Sequence, residues 1–144
     1  MAADPIESQV LVLTAAKASV APTRLPTLID RAQAELGPEL ERYRREYERI
    51  HEDDERAVFL VEWGHWEDLE DRLDVSARER SAIRRAHEEQ LLRIGRREDR
   101  EEEFETALEI RDPVVIGLES TDADPESDAD GSDGDADPES ADEP

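Results

Sequence analysis

Apolar residues recur at helical spacing along most of the chain and predict a mainly α-helical fold. Over residues 5–19 they form one helical face, although the valines of this stretch also permit a strand. That face consists of Ile6, Val10 and Leu13, widened by Leu11 and Val12. A second helix is predicted over residues 25–36, and Gly37-Pro38 is expected to end it with a left-handed glycine.

A third helix is predicted to begin directly after Gly37-Pro38. Its apolar residues are spaced by three, four and three positions, which is typical of a helix that packs on one neighbour. They are Leu40, Tyr43, Tyr47 and Ile50. The polar residues 51–55 then predict a turn.

The most apolar run, residues 57–63, allows two interpretations. Its β-branched and aromatic residues favour a strand. Phe59 and Trp63 also begin a helical stripe that continues through Gly64 to Trp66, Leu69 and Leu73. Residues 66–73 are helical under either interpretation. Both tryptophans lie here, so we expect this region to anchor the core.

Residues 76–111 form the longest stretch rich in helix-forming residues. Ser76 and Glu79 have the spacing of a capping box, which predicts a helix start. The helix either continues to about residue 111 or breaks at Gly95, with Asp99 capping a second helix. We favour the break, because only charged residues and Gly95 separate the two apolar parts of the stretch.

The end of the chain changes character twice. Residues 104–110 alternate in polarity, but their helix-forming composition favours a helix over a strand. The apolar residues 114–118 predict a short strand or a strap across the helices. Residues 119–144 contain twelve acids, no base and no large apolar side chain, which predicts a disordered acidic tail. We therefore predict a bundle of four to six helices within residues 1–118, followed by that tail.

The composition is strongly acidic, with 41 acids against 18 bases and a net charge of −23 at pH 7. Seventeen of the bases are arginine, and residues 1–118 alone still hold 29 acids. At molar salt the Debye length is only about 3 Å, so a dense acidic surface repels itself little. We therefore expect a halophilic protein. Neither a signal peptide nor a membrane span is indicated, which makes the cytoplasm the expected compartment.

Residues 66–94 resemble a degenerate helix-turn-helix, in which the second helix enters the major groove of DNA. The buried and capping positions of that motif are matched by Leu69, Leu73, Val75, Ser76 and Ile83. Glu70, Asp74 and Arg80 depart from the small, glycine and apolar residues usual at their positions. In a DNA-binding regulator the contacts would come from Arg78, Arg80, Arg84 and Arg85. The same arginines also suit a solvated helix face paired with acids, which we favour.

No motif in the sequence points to catalysis, a metal or a cofactor. Cysteine is absent, and the three histidines, His51, His65 and His87, are far apart and lack ligand spacing. No glycine-rich phosphate loop is present, and the acidic clusters lack the spacing of a calcium loop. We therefore expect neither an enzyme nor a cofactor-binding protein.

The function that we favour is a non-catalytic helical module that binds a protein partner or a second copy of itself. The candidate contact residues are Tyr43, Tyr47, Trp63 and Trp66. The same side chains could instead form the core of the monomer. A DNA-binding regulator is the alternative function.

Several segments of the chain also carry a family resemblance: Gly64-His65-Trp66, Arg85-Ala86-His87-Glu88, and residues 93–97, 103–111 and 114–117. Through them, residues 36–117 resemble an uncharacterised family of small halophilic archaeal proteins. The resemblance implies a halophile's cytoplasm and no particular activity.

Overall fold

A computed structural model describes residues 5–118 of the 144-residue chain. In that part, six α-helices and three β-strands are joined by short connections. Their bounds are Ser8–Ala18 (α1), Arg24–Leu36 (α2), Leu40–Glu46 (α3), Glu48–Glu52 (β1), Arg56–Val61 (β2), His65–Leu73 (α4), Ala77–Glu98 (α5), Glu101–Leu108 (α6) and Asp112–Gly117 (β3). The predicted acidic tail, residues 119–144, lies outside the described residues.

The fold is mainly helical, as predicted, and adds a three-stranded antiparallel sheet in the order β1-β2-β3. Helices α2 and α4 begin within one residue of their predicted starts and end as predicted. Of the predicted apolar run over residues 114–118, residues 114–117 belong to strand β3 and Leu118 follows it. The central strand β2 is buried along its whole length, so the core lies between the sheet and the helices around it.

The predicted third helix is wrong beyond Glu46. Tyr47 adopts extended backbone angles, and Glu48 opposes Leu60 at the start of the antiparallel β1–β2 pair. The apolar strand β2 has to pair its backbone groups, and this requirement outweighs the helix propensity of the segment before it. The predicted seam from Leu40 to Ile50 is therefore split between helix α3 and strand β1.

The strand interpretation is correct for Arg56–Val61. Gly64, with a φ of 98°, separates this strand from helix α4, so no helical stripe passes through it. A left-handed φ of this kind favours glycine because it has no Cβ to clash with the backbone. The left-handed glycine predicted at Gly37 is wrong, because its φ is −53°. A 3₁₀ turn over Gly37–Glu39 leads into α3, which begins within one residue of its predicted start.

The predicted break at Gly95 is also wrong, because α5 continues to Glu98. The left-handed residue Asp99, with a φ of 59°, ends α5 instead of capping the next helix. Gly95 serves packing: an added Cβ would lie 2.9 Å from Cδ2 of Phe104 and 3.0 Å from Cα of Glu101. The capping box of Ser76 and Glu79 at the start of α5 is confirmed.

Side chains from the helices close the outer edge of strand β3. The Nε1–H of Trp66 donates to the carbonyl oxygen of Pro113 at 3.2 Å, and proline has no N–H to satisfy. Two residues further on, the N–H of Val115 donates to Nδ1 of His87 at 2.8 Å. Helices α4 and α5 thus provide partners where a fourth strand would otherwise lie.

Gln33 of helix α2 completes this closure with both ends of its amide. Its Nε2 donates to the carbonyl oxygen of Val115, and its Oε1 accepts from the N–H of Gly117, each at 2.8 Å. A side-chain amide carries the same donor and acceptor as a peptide group. Gln33 therefore imitates one residue of a neighbouring strand.

The hydrogen bond from Val115 fixes the tautomer of His87, and burial keeps its ring neutral. This side chain is fully buried, and its ring packs edge-on against Trp66 with 4.7 Å between the ring centres. Because Nδ1 accepts a hydrogen bond, the neutral ring carries its proton on Nε2. Burial lowers the pKa of His87 to about 3, which keeps the ring neutral at ordinary pH.

We expect Gly95→Ala to lower the free energy of unfolding by about 1–3 kcal/mol, because the new methyl group meets the backbone of α6. Gly37→Ala is the matched control. Gly37 has ordinary helical angles and no atom within 4 Å of an added Cβ, so alanine there should stabilise by about 0.4–1 kcal/mol. Denaturant titration of both variants checks the prediction, and equal effects at the two glycines would contradict it.

A second prediction concerns pH and His87→Gln, which keeps a neutral acceptor for the Val115 N–H. Between pH 6.5 and about 3 the unfolded wild type binds a proton at His87 that the folded state does not. The free energy of unfolding should therefore decrease as the pH is lowered through this window, by up to about 1.4 kcal/mol per pH unit from this group. His87→Gln should show a shallower fall in denaturant titrations. Parallel curves for the two proteins would refute the assignment.

Candidate interaction surface

Helix α1 is apolar on two opposite faces. The inner face is buried, mainly against α5, and consists of Val10, Thr14 and Ala15. On the outer face, Val12 is 60% exposed and Leu13 is 55% exposed. A surface helix normally carries one apolar stripe towards the core and polar or charged residues on its opposite face. The outer face of α1 thus has the composition of a contact surface but no cover within residues 5–118.

This outer face differs from the predicted one, which placed Leu13 and Val12 on the same side as Val10. The inner side is set by Val10 and Thr14, one helical turn apart, and the polar Thr14 hid that pattern. The sequence did contain a signal for the outer face, namely a second stripe at positions i, i+3, i+4 and i+7. It consists of Gln9, Val12, Leu13 and Ala16.

A network around Glu7 fixes the rotation of α1. The carboxylate of Glu7 accepts from Nε2 of Gln90 at 2.9 Å, from Nε of Arg93 at 3.0 Å and from Arg97. Burial alone would raise the pKa of Glu7. The hydrogen bonds from Gln90, Arg97 and Arg93 and the charge of Arg97 outweigh it and lower the pKa to about 2. Three side chains of α5 therefore hold the start of α1 and keep its outer face directed away from α5.

A cleft with a mixed polar and apolar lining and a volume of about 310 Å³ adjoins this face. Val12 belongs to both, so the exposed helix face and the cleft are continuous. Its lining combines apolar residues with the polar Ser8 and the acid Asp30. The apolar ones are Pro5, Ile6, Leu11, Val12, Pro22, Pro26 and Ile29. We refer to Val12, Leu13, Ala16 and this cleft as the α1 surface.

Helix α1 lies within the longest acid-free part of the sequence. Residues 8–29 include no acid and only two bases, Lys17 and Arg24. Elsewhere the longest acid-free runs, residues 80–87 and 90–97, have eight residues each. In a chain of net charge −23 this segment, which carries two positive charges and no negative one, is the least repelled by another negative surface.

The predicted contact residues do not form one surface. Tyr43 and Trp66 are 1% and 0% exposed and belong to the core. Tyr47 is partly buried, with its ring centre 4.9 Å from that of Tyr43. Trp63 is 66% exposed in the connection between β2 and α4, so only one of the two tryptophans anchors the core as expected.

His65 and Tyr43 form a hydrogen-bonded pair with a structural role. The Tyr43 hydroxyl lies 2.5 Å from Nε2 of His65, and the Tyr47 ring packs edge-on against the same imidazole. Burial raises the pKa of Tyr43 to about 12 and lowers the pKa of His65. Both groups are therefore neutral near pH 7, and their bond ties α3 to the start of α4.

The arginines predicted to contact DNA occupy the first half of α5: Arg78, Arg80, Arg84 and Arg85. Arg80 pairs with Glu70 of α4 at 2.6 Å, and Arg84 lies 3.6 Å from Asp112 of β3. Two departures from the helix-turn-helix pattern, Glu70 and Arg80, thus compensate each other. The other two arginines are exposed and form no ion pair within 4.0 Å among residues 5–118. Contact with DNA stays a prediction.

A polar depression of about 410 Å³ lies where the β1–β2 hairpin meets the end of α5. At its wall, Nε2 of His51 lies 2.9 Å from Asp53, and Nδ1 lies 3.7 Å from Glu98. A carboxylate that orients an imidazole in this way is one part of a catalytic triad. The side chains that line the depression include no serine, threonine or lysine to serve as a nucleophile. Among residues 5–118, no group of three or more histidines and acids is placed to hold a metal ion.

We expect Glu7→Gln to lower the free energy of unfolding at neutral pH, because Arg93 and Arg97 lose their anion. Because the pKa of Glu7 is lowered in the folded state, ionised Glu7 stabilises the fold. This stabilisation is complete above about pH 4.5 and is lost as the pH falls towards 2. The difference between wild type and variant should therefore shrink over that range. Glu105→Gln is the control, since Glu105 is exposed and lacks an ion pair in the described part of the chain. A difference that is constant with pH would contradict the network.

Within residues 5–118, no helix combines the length and the apolar character needed to cross a membrane. No curated protein and no solved structure matches the chain. Residues 4–118 match the family described as Domain of unknown function (DUF8048). That match covers most of the 144 residues, and the chain therefore belongs to this family.

Proposed function

We propose that this protein is a non-catalytic helical interaction module that binds a protein partner through the α1 surface. The observation that carries the proposal is the exposed apolar pair Val12 and Leu13, which lies within the acid-free residues 8–29 and beside a cleft. Contiguous apolar surface with a polar rim is typical of protein contact sites. A cleft next to it offers a pocket for an apolar anchor of the partner.

We further propose that the module works in the cytoplasm of a halophile. The acid excess and the use of arginine in place of lysine support this setting. In concentrated salt, repulsion between acidic surfaces is screened over a few ångströms, while contact between apolar surfaces is retained. An acid-free apolar face on an acidic protein is suited to association under these conditions.

A DNA-binding regulator has less support from the structure. Of its four proposed contact residues, Arg80 and Arg84 are already paired with acids of α4, α5 and β3. A phosphate backbone would have to displace those carboxylates before it gained the arginines. Only Arg78 and Arg85 would be available without such an exchange.

The proposal is tested by placing a photo-crosslinking amino acid at position 13 of the full chain, expressed in its source organism. We expect a discrete protein adduct, either with another protein or with a second copy, because Leu13 is at the centre of the exposed face. The matched control carries the same group at Ile110, which is 68% exposed between α6 and β3. Adding Val12→Glu to the position-13 protein should suppress the adduct. Absence of an adduct at position 13, or equal adducts at 13 and 110, would overturn the proposal.

A further inference from the structure

We infer that the occupant of the α1 surface is a second copy of this chain, with the two α1 helices packed antiparallel. This inference rests on the proposed function and names its partner. It assigns the surface to a symmetric, isologous contact, in which the same patch serves both copies.

The charge distribution favours a like partner over a basic one. A partner attracted by the net charge of −23 would bind the acid-rich faces of the protein, and residues 8–29 contain no acid. We expect the occupant of the exposed α1 face to be apolar and equally poor in acids. Helix α1 of a second copy offers such a face, because residues 8–29 of both chains are free of acids.

The outer stripe of α1 is compatible with two-fold symmetry. A two-fold axis at the level between Val12 and Leu13 sets each of these residues beside its own counterpart in the other copy, offset by about one residue's rise of 1.5 Å, and brings Ala16 level with Gln9. The small Ala16 allows the helices to approach closely. Antiparallel packing also opposes the two helix dipoles, and it sets Lys17 level with the uncharged Ser8 of the other copy.

The size of the contact predicts a weak, reversible dimer. An eleven-residue helix is about 16 Å long, so a pair of them buries less than the roughly 1,600 Å² of a standard interface. The net charge of each chain further opposes association at low salt. Salt screens this repulsion and leaves the apolar contact, so the dimer should strengthen as salt is added. A dimer held by ion pairs would weaken under the same change.

The test measures the molar mass of the full chain by sedimentation equilibrium over a range of concentrations at two salt concentrations, with circular dichroism to confirm folding. We expect the mass to rise from 16.4 kDa towards twice that value, and to rise more in high salt. Leu13→Glu should remain at 16.4 kDa in both salts. The matched control Ile110→Glu, at another exposed apolar residue, should behave like the wild type.

Because the chain contains no cysteine, a single Val12→Cys substitution reports the contact directly. Oxidation should link two Val12→Cys chains, whereas Trp63→Cys, at a position that is 66% exposed, should remain monomeric. A wild type that is monomeric throughout, with no link at position 12, would overturn the second-copy inference. If position 13 still forms an adduct with a different protein, the interaction module survives. If it forms none, both proposals fail.

Discussion

The closed outer edge of strand β3 is the constraint on which this fold depends. A three-stranded sheet leaves two edges, and an open edge invites pairing with another chain. At β3, side chains of α2, α4 and α5 occupy the edge positions, through Gln33, Trp66 and a neutral His87. At β1 the edge is short, interrupted by a bulge after Arg49 and lined by exposed charged residues. Both edges of the sheet are therefore protected against pairing with a strand of another chain.

The basic character of α5 has its explanation within the fold. Its arginines meet acids from three directions: Glu7 before α1, Glu70 of α4 and Asp112 of β3. Helix α5 is therefore a basic helix whose arginines pair with acids from several other parts of an acidic chain. A local excess of arginine in a sequence does not by itself mark a binding face, since the acids that answer it come from distant positions.

Local signals predicted most helices correctly, and the errors share one cause. The capping box at Ser76 and the apolar spacing of α2 act within one helix, so the sequence alone contains them. Strand β1 forms because β2 needs a partner, a requirement that residues 48–52 do not reveal. Glycine is equally ambiguous, because a helix break and a close helix contact call for the same residue, as Gly95 shows. The face of α1 was misassigned because both of its sides are apolar, and only packing on α5 decides which is buried.

The outer face of α1 is hard to explain by folding alone. The inner face and the Glu7 network already hold the helix in place, so Leu13 and Val12 add little to the stability of a monomer. Trp63 and Ile110 are also exposed, but each stands alone, whereas Val12 and Leu13 are adjacent on one helix. Burial of this pair against another surface would contribute about 25 cal/mol for each Å² of apolar area removed from water. The exposed pair, together with the acid-free residues 8–29, is the physical reason to propose an interaction at α1 and not at the polar depression around His51.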